Sequence, residues 1–292
     1  MTIIVKWGSY GYWSGPFIRG TNRYTDPRKP SNLDVIVAAI AGPEGGSYDG
    51  VFMADGTGVT WGLFQWTLTS GRLQRLLGHI LEHDRAAFHR LMVPMLCLLG
   101  VELDKGIGGW VLRDRKTRTV LDKKAIRRIF TPPNGEVPKT GNHWSVAKAI
   151  AECFAALGSS RGIPLLQEGF GLDELAHEST LRRPKLGGRT IAGALKIGTA
   201  FFTAHFLPDE TTPLHALFFS LWQNGPREAE RILRIAITKP NPTLALARLA
   251  AGSIYGNWGL VKAKANGRTA RYTKIAKAVN RLMGRTCLPA KP

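Results

Sequence analysis

The spacing of apolar side chains predicts a mainly helical chain. From Leu68 onward apolar residues recur at intervals of three and four, the period of a helix that buries one face. An earlier helix is predicted from Ser31, a favourable N-cap, through the apolar run 35–40 to Gly42-Pro43. A similar pattern predicts a buried helix over 88–99. Further helices are predicted over 143–158, 190–207, 212–223, 226–238, 242–251 and 269–283.

Two regions depart from this period. Residues 1–30 are rich in Gly, Pro and aromatic side chains, which predicts an irregular or short-stranded N-terminal arm packed on the body. Residues 47–66 carry Asp49-Gly50, Asp55-Gly56 and Gly58 between short apolar pieces, the turn signals of a small β-ribbon. The predicted fold is therefore mainly α with a small β-ribbon, divided into an arm (1–30) and one domain (31–292).

Charge changes the picture most between residues 104 and 142. Basic side chains crowd this stretch, which we interpret either as an inserted subdomain or as a basic helical face: Arg113, Arg115, Lys116, Arg118, Lys123, Lys124, Arg127 and Arg128. The whole chain of 292 residues has 40 Lys+Arg against 21 Asp+Glu, a formal charge of +19. Such a charge favours a polyanionic partner. DNA, RNA, wall teichoic acid, lipopolysaccharide and anionic membranes all qualify.

Several classes of protein find little support. Three cysteines without a CxxC pair are expected to be reduced, buried thiols of a protein folded in a cytosol. The N-terminus has no basic region before its apolar run, so we expect no signal peptide. The apolar stretches are too short or interrupted to span a bilayer. His79 and His83 share a helical face but lack a third ligand, and no nucleotide fingerprint follows Gly106–Gly109; we expect neither metal nor cofactor.

Glu44 is the leading catalytic candidate. It follows an apolar helix and precedes Gly45-Gly46, which can supply the positive φ that ends a helix. Glycoside hydrolysis needs a carboxylic acid that is still protonated near neutral pH, and an apolar setting raises a carboxyl pKa. The aromatic residues Phe52, Trp61, Phe64 and Trp66 could provide that setting. On composition alone, a solvated glutamate at a helix end remains the alternative.

The motifs around Glu44 resemble the active-site strip of goose-type lysozymes and lytic transglycosylases. The matching residues are Glu44-Gly45-Gly46, then Asp55-Gly56-x-Gly58, then Trp61-Gly62-Leu63-Phe64-Gln65, and the resemblance covers roughly residues 31–80. It implies a lysozyme-like catalytic domain that cleaves the β-1,4 bond between N-acetylmuramic acid and N-acetylglucosamine in peptidoglycan. Glu44 matches the catalytic acid, Asp55 lies near the auxiliary aspartate, and Gln65 matches a glutamine of the sugar-binding groove.

The same resemblance implies a groove and one departure. The implied substrate-binding residues are Tyr48, Trp61, Gln65, Trp66, Thr67 and Tyr272. For the two tryptophans, packing in the core is the alternative. Thr67 stands where goose-type enzymes often carry a second aspartate, which puts a water-activating partner in doubt. Asp55 or Asp49 could fill that role, although a turn role for Asp49 is the stronger expectation. Without such a partner, Glu44 would act alone, as in lytic transglycosylases.

Two other functions stay open. The basic run suits a nucleic-acid-binding protein that reads phosphate charge, although no known binding module is visible. A lysozyme scaffold can also serve as a catalytically inert wall-binding module, since fold does not imply activity. The favoured interpretation is a wall enzyme made in the cytoplasm, held on anionic envelope polymers by its basic surface. Without an export signal, it would reach the wall as a phage lysin, within a virion or through an injection apparatus.

Overall fold

A computed structural model provides the architecture. It describes residues 2–6, 12–24, 41, 47–53, 57–130, 142–181, 185–186, 189–190, 226–240, 245–246 and 249. The chain forms two compact units, the first comprising Met1–Tyr24 and Gly45–Phe170, the second Thr25–Glu44 and Gly171–Pro292. The break predicted at residue 30 is not among these boundaries. The described fold is α+β, with helices around a small antiparallel sheet.

A five-stranded antiparallel sheet organises the first unit. Its strands are paired in chain order: β1 (Thr2–Lys6), β2 (Tyr12–Ile18), β3 (Val51–Phe52), β4 (Thr60–Trp61) and β5 (Trp66–Thr67). The last three strands are the predicted β-ribbon. The predicted N-terminal arm supplies β1 and β2, and β2 pairs with β3 through Phe17 opposite Phe52. The arm is therefore part of the sheet on which the ribbon is built.

The helices described in the first unit match the predicted helices only in part. They are α1 (Arg72–His83), α2 (Arg85–Leu91), α3 (Val93–Leu98), α4 (Lys123–Phe130), α5 (Asn142–Gly158) and the start of α6 (Ile163–Leu181). The predictions for α1 and for 143–158 are confirmed. Asp84 separates α1 from α2 because its Oδ1 accepts the Ala87 amide at 3.0 Å, an N-cap that starts a new helix.

Aromatic packing joins the ribbon to two helices. The Trp61 ring lies 5.4 Å from Phe154 of α5, and the Trp66 ring lies 5.8 Å from Phe170 of α6, between centroids. Phe64 packs on Trp66 at 5.3 Å. These centroid distances suit edge-on or tilted aromatic pairs, which add specificity to apolar burial. The ribbon therefore sits on a rigid aromatic core.

The region read as a basic insertion begins as a hairpin. Strands β6 (Val101–Gly106) and β7 (Gly109–Asp114) pair across a tight turn, and α4 follows. The hairpin packs on α1, where Gly78 lies directly beneath the Trp110 indole. Within α4, Ile126 and Phe130 are buried and the basic side chains are exposed, as a basic helical face would require. The described part of 104–142 therefore belongs to the first unit.

Other expectations have mixed outcomes. The segment 88–99 is helical but divides at Met92, and the predicted burial is wrong at its end, where Leu98 is 89% exposed. Cys97 is exposed and Cys153 half-buried, so neither is the buried thiol expected. The predicted helices 212–223 and 269–283 and residues 191–207 lie outside the described residues, as does the first helix except for Ala41, which is helical.

The second unit is described only in parts. It contains the end of α6, a short hairpin of β8 (Lys185–Leu186) and β9 (Arg189–Thr190), and α7 (Pro226–Ile237). The last of these confirms the helix predicted over 226–238, and its buried residues recur at helical spacing: Ala229, Ile232, Leu233 and Ala236. Among the described residues, no helix has the length and apolar content that a bilayer crossing requires.

We expect Gly78→Ala to destabilise the first unit by about 1–3 kcal/mol, the usual cost of overpacking. A Cβ there would lie 2.1 Å from atoms of the Trp110 indole, a rigid group that must move. Alanine otherwise favours a helix by up to about 1 kcal/mol over glycine, so destabilisation would isolate the contact. Urea unfolding monitored by tryptophan fluorescence would measure it.

Gly108→Ala is the matched control. Its added Cβ would meet no atom within 4 Å, so stability should stay within about 0.5 kcal/mol of the parent. Equal stability of the Gly78 and Gly108 variants would contradict the proposed packing of the hairpin on α1.

Candidate functional site

The structure describes only some of the candidate site residues. Glu44, Asp55 and Tyr272 lie outside the described residues. The structure does place Tyr48, Asp49 and the whole Trp61–Thr67 segment, all of them in the first unit. The described part of the candidate site therefore consists of the ribbon and the elements that hold it.

The ribbon turn places Gln65 in an unusual conformation. Trp61 and Trp66 are paired across β4 and β5, and the four residues between them reverse the chain. Gly62 has φ 83° and Gln65 has φ 53°, both in the left-handed region. Glycine adopts that region freely, whereas a glutamine there costs roughly 1–3 kcal/mol. The surrounding structure must hold Gln65 in place.

Hydrogen bonds account for that hold. The Gln65 backbone amide and its side-chain Nε2 both donate to the Gly62 carbonyl, each at 3.0 Å. The side chain is half-buried, and its Oε1 accepts no hydrogen bond within the described part of the chain. One acceptor of Gln65 thus remains open on a side chain whose position is fixed.

A second glutamine ties the ribbon to α6. Gln167 is fully buried; its Oε1 accepts the Leu63 amide at 2.9 Å, and its Nε2 donates to the Tyr48 carbonyl at 2.9 Å. A buried backbone group without a partner costs about 1–3 kcal/mol, so this one amide satisfies two such groups. The sequence interpretation missed α6, and with it both Gln167 and its neighbour Glu168.

Glu168 pairs with Tyr48. The Tyr48 hydroxyl donates to Glu168 Oε1, and Tyr48 is 5% exposed. Burial, then the hydrogen bond and the charge of Glu168, raise the pKa of Tyr48 far above its usual value; the nearby Tyr24 adds to this. Tyr48 is therefore a neutral hydrogen-bond donor at any physiological pH. Only its hydroxyl end is engaged with a charged group.

Asp49 has the structural role that its sequence context favoured. It is 5% exposed, and its carboxylate accepts the backbone amides of Thr21 and Asn22, both at 3.0 Å. The hydroxyls of Thr21 and Ser159 also donate to it, at 3.2 and 3.4 Å. Four donors fix this carboxylate between the end of β2 and the end of α5. Such a saturated group is poorly placed to activate water.

The remaining groove candidates differ in exposure. Trp61 and Trp66 are both 0% exposed. They therefore pack in the core, the alternative to a place in the groove, and neither indole offers surface to a sugar ring in this structure. Thr67 is half-buried and adjoins Gln65 on the ribbon. Of the predicted groove residues that are described, Gln65 and Thr67 therefore retain accessible surface.

The histidine pair does not assemble a metal site among the described residues. The rings of His79 and His83 stack at 4.1 Å between centroids, and a His83 ring nitrogen lies 2.8 Å from the His79 carbonyl. Across the described ranges, no three side chains of His, Cys, Asp or Glu come together in a way that could bind a metal ion.

We expect Gln167→Glu to lower the free energy of unfolding by about 2–4 kcal/mol, because a carboxylate cannot donate to the Tyr48 carbonyl. Denaturant unfolding would measure the loss. Glu168→Gln is the control: the neighbouring change in the opposite direction keeps an acceptor for the Tyr48 hydroxyl and should cost under about 1 kcal/mol. Equal effects of the two changes would argue against the clamp.

The raised pKa of Tyr48 predicts a stability change at alkaline pH. Above about pH 10 a tyrosine in the unfolded chain ionises, whereas Tyr48 in the folded chain stays protonated. The folded state then binds more protons, so its stability falls as pH rises, by up to about 1.4 kcal/mol per pH unit. Unfolding curves of the parent and Tyr48→Phe between pH 8 and 11.5 would show the parent losing its advantage above pH 10. Parallel losses would contradict a buried, neutral Tyr48.

Comparison of the chain with protein-family models, with curated proteins and with solved structures yields no significant match.

Proposed function

We propose that the protein is a peptidoglycan-cleaving glycosidase of the lysozyme-like kind. Glu44 would act as the general acid, giving its proton to the glycosidic oxygen between N-acetylmuramic acid and N-acetylglucosamine. The protein would act on the bacterial wall, delivered within a virion or through an injection apparatus. The sequence strip from Glu44 to Gln65 supports this assignment.

The observation that carries the proposal is the fixed conformation of Gln65. Its left-handed φ of 53° is costly for a glutamine, and such strain is concentrated at functional sites. Its Nε2 is held by the Gly62 carbonyl, while its Oε1 is free of partners among the described residues. A fixed amide oxygen at a half-buried position suits a hydroxyl or N-acetyl N–H group of a sugar. This is the role that the resemblance implies for the ribbon glutamine.

The identity of the second carboxylate decides the product. In hydrolysis, a carboxylate removes a proton from water as the water oxygen bonds to the anomeric carbon. Asp49 is excluded from this role by its four hydrogen-bond donors, so Asp55 is the proposed helper. If Asp55 does not serve, Glu44 would take back a proton from the substrate's own 6-hydroxyl. That oxygen would then close a 1,6-anhydro ring.

Glu44→Gln tests the proposed acid, because it preserves shape and removes the transferable proton. We expect the parent to release soluble muropeptides from purified peptidoglycan and the variant to release at least about a hundredfold fewer, the usual scale of general-acid catalysis. Mass spectrometry of the fragments would measure both. Reducing N-acetylmuramic acid ends would indicate hydrolysis, and 1,6-anhydro ends a lytic transglycosylase.

Glu152→Gln is the matched control. Glu152 is exposed on α5 and pairs only loosely with Lys148, at 3.7 Å, so the same chemical change there should leave activity intact. Full activity of Glu44→Gln would refute the assignment of the acid. Absence of fragments from several wall types with the parent protein would refute the glycosidase itself and favour an inert wall-binding module.

A further inference from the structure

The basic side chains near the β6–β7 hairpin fall into two groups. The first group is neutralised by neighbouring carboxylates. Arg113 Nε lies 3.0 Å from Asp104 Oδ2, and this ion pair does not have the geometry of a hydrogen bond. Arg118 forms ion pairs with both Glu102 and Asp104. Lys105 Nζ lies 2.7 Å from Glu82. The Lys105–Glu82 pair is exposed and the other pairs are partly buried; together they cancel charge on one face of the hairpin.

The second group forms no salt bridge within the described part of the chain, although the charge of Lys116 helps to lower the pKa of Asp114. We call it the basic ridge, and it consists of five exposed cations: Arg115, Lys116, Lys123, Lys124 and Arg128. The two acids of the same stretch serve the backbone. Asp114 Oδ1 accepts the amides of Lys116 and Thr117, and Asp122 Oδ1 accepts the Ala125 amide at 2.7 Å. The ridge therefore consists of exposed cations on the turn after β7 and on α4.

The ridge stands on a fixed base. After the turn the chain runs back along β7, where the Leu121 amide donates to the Leu112 carbonyl at 2.8 Å. Helix α4 then buries Ile126 and Phe130, so its cations point away from the core. At about 100° per residue, Lys123, Lys124 and Arg128 fall within roughly 140° of the helix circumference. The spacing of these charges is thus set by packed secondary structure.

We propose that the basic ridge binds a polyol-phosphate polymer of the bacterial envelope. A chain of phosphodiesters offers repeated negative charges that a row of cations can neutralise with release of counterions. Nucleic acid fits less well. Single strands are usually held by stacking on exposed aromatic rings, yet Phe130, the aromatic residue of the 113–130 stretch, is 1% exposed. The nearby Trp110 ring packs against Gly78, and the Lys105 Nζ lies 5.3 Å from the centroid of the Trp110 ring.

The choice of an envelope polymer over other base-free polyphosphates rests on the proposed function. The binding itself does not depend on glycan cleavage. A poly(glycerol phosphate) chain freed of lipid and of peptidoglycan contains no bond that the proposed glycosidase would cut. Failure of the ridge and failure of the glycosidase therefore give separate results.

The test uses the full chain and two triple variants of equal charge change. The ridge variant is Lys123→Gln, Lys124→Gln and Arg128→Gln; the control is Lys105→Gln, Arg113→Gln and Arg118→Gln, which removes cations that already have carboxylate partners. Binding to purified poly(glycerol phosphate) is measured by titration calorimetry at several salt concentrations. Each phosphate contact contributes about 0.7 to the slope of log affinity against log salt for a flexible chain.

We expect the ridge variant to bind about tenfold or more weakly at 0.1 M salt, with a slope smaller by about 2, the sum for three contacts. The control should stay within about threefold of the parent. Circular dichroism melts check that both variants fold. If the triple variant unfolds early, Lys124→Glu alone, one exposed change, gives the same comparison and should also weaken binding.

Four results would overturn the proposal. Equal losses in the two triple variants would mean that net charge alone attracts the polymer. No measurable binding by the parent would remove the partner. Tenfold tighter binding to single-stranded or duplex DNA of equal phosphate number would make the ridge a nucleic-acid surface. Tenfold tighter binding to phosphatidylglycerol vesicles than to the free polymer would make it a membrane surface.

Discussion

The buried amide of Gln167 holds the ribbon in place. It lies where water does not reach, between a backbone donor at Leu63 and a backbone acceptor at Tyr48. In a low-dielectric interior both groups need a partner, and glutamine offers a donor and an acceptor at the required distance. Glutamate lacks the donor and methionine lacks both. The turn that presents Gln65 is therefore connected to α6 through a side chain with few substitutes.

That constraint separates the carboxylates near the ribbon by role. Asp49 is saturated by four donors and serves as a structural acceptor between β2 and α5. Glu168 receives the Tyr48 hydroxyl and remains half-buried. Both carboxylates are therefore engaged in hydrogen bonds that hold the ribbon region together. The proposed proton donor, Glu44, is a different residue from these two.

Sequence patterns predicted elements with one-sided burial better than the others. Helix α1 and the helix over 142–158 have apolar residues at helical spacing; a helical pattern was predicted for the first, and the bounds of the second were predicted to within one residue. Helix α6 was missed because its apolar residues lie all around it and glycines interrupt it at 169 and 171. The β6–β7 hairpin was missed because Glu102, Asp104 and Arg113 place charges in its strands, where pairing with each other replaces an apolar face.

The candidate site shows the same limit. Gln65 was a candidate because its Gly-x-x-Gln segment resembles that of goose-type lysozymes and lytic transglycosylases, while its left-handed φ was not predicted. The sequence did not show whether Trp61 and Trp66 face a groove or the core. Both sit in two-residue strands, too short for an alternating pattern to reveal which face is buried. Their burial depends on Phe154 and Phe170, partners about 90 to 100 residues away in the sequence.

The basic ridge and the proposed glycan-binding turn at Gln65 use different residues of the first unit. The ribbon packs on α1, α5 and α6, and the basic ridge lies on α4 and on the turn that follows β7. A polymer held on the ridge would keep the protein near the wall. Retention of this kind raises the effective concentration of glycan at the site without any new contact to the sugar. Because the ridge attraction is electrostatic, high salt would weaken the retention and leave the intrinsic chemistry of the ribbon unchanged.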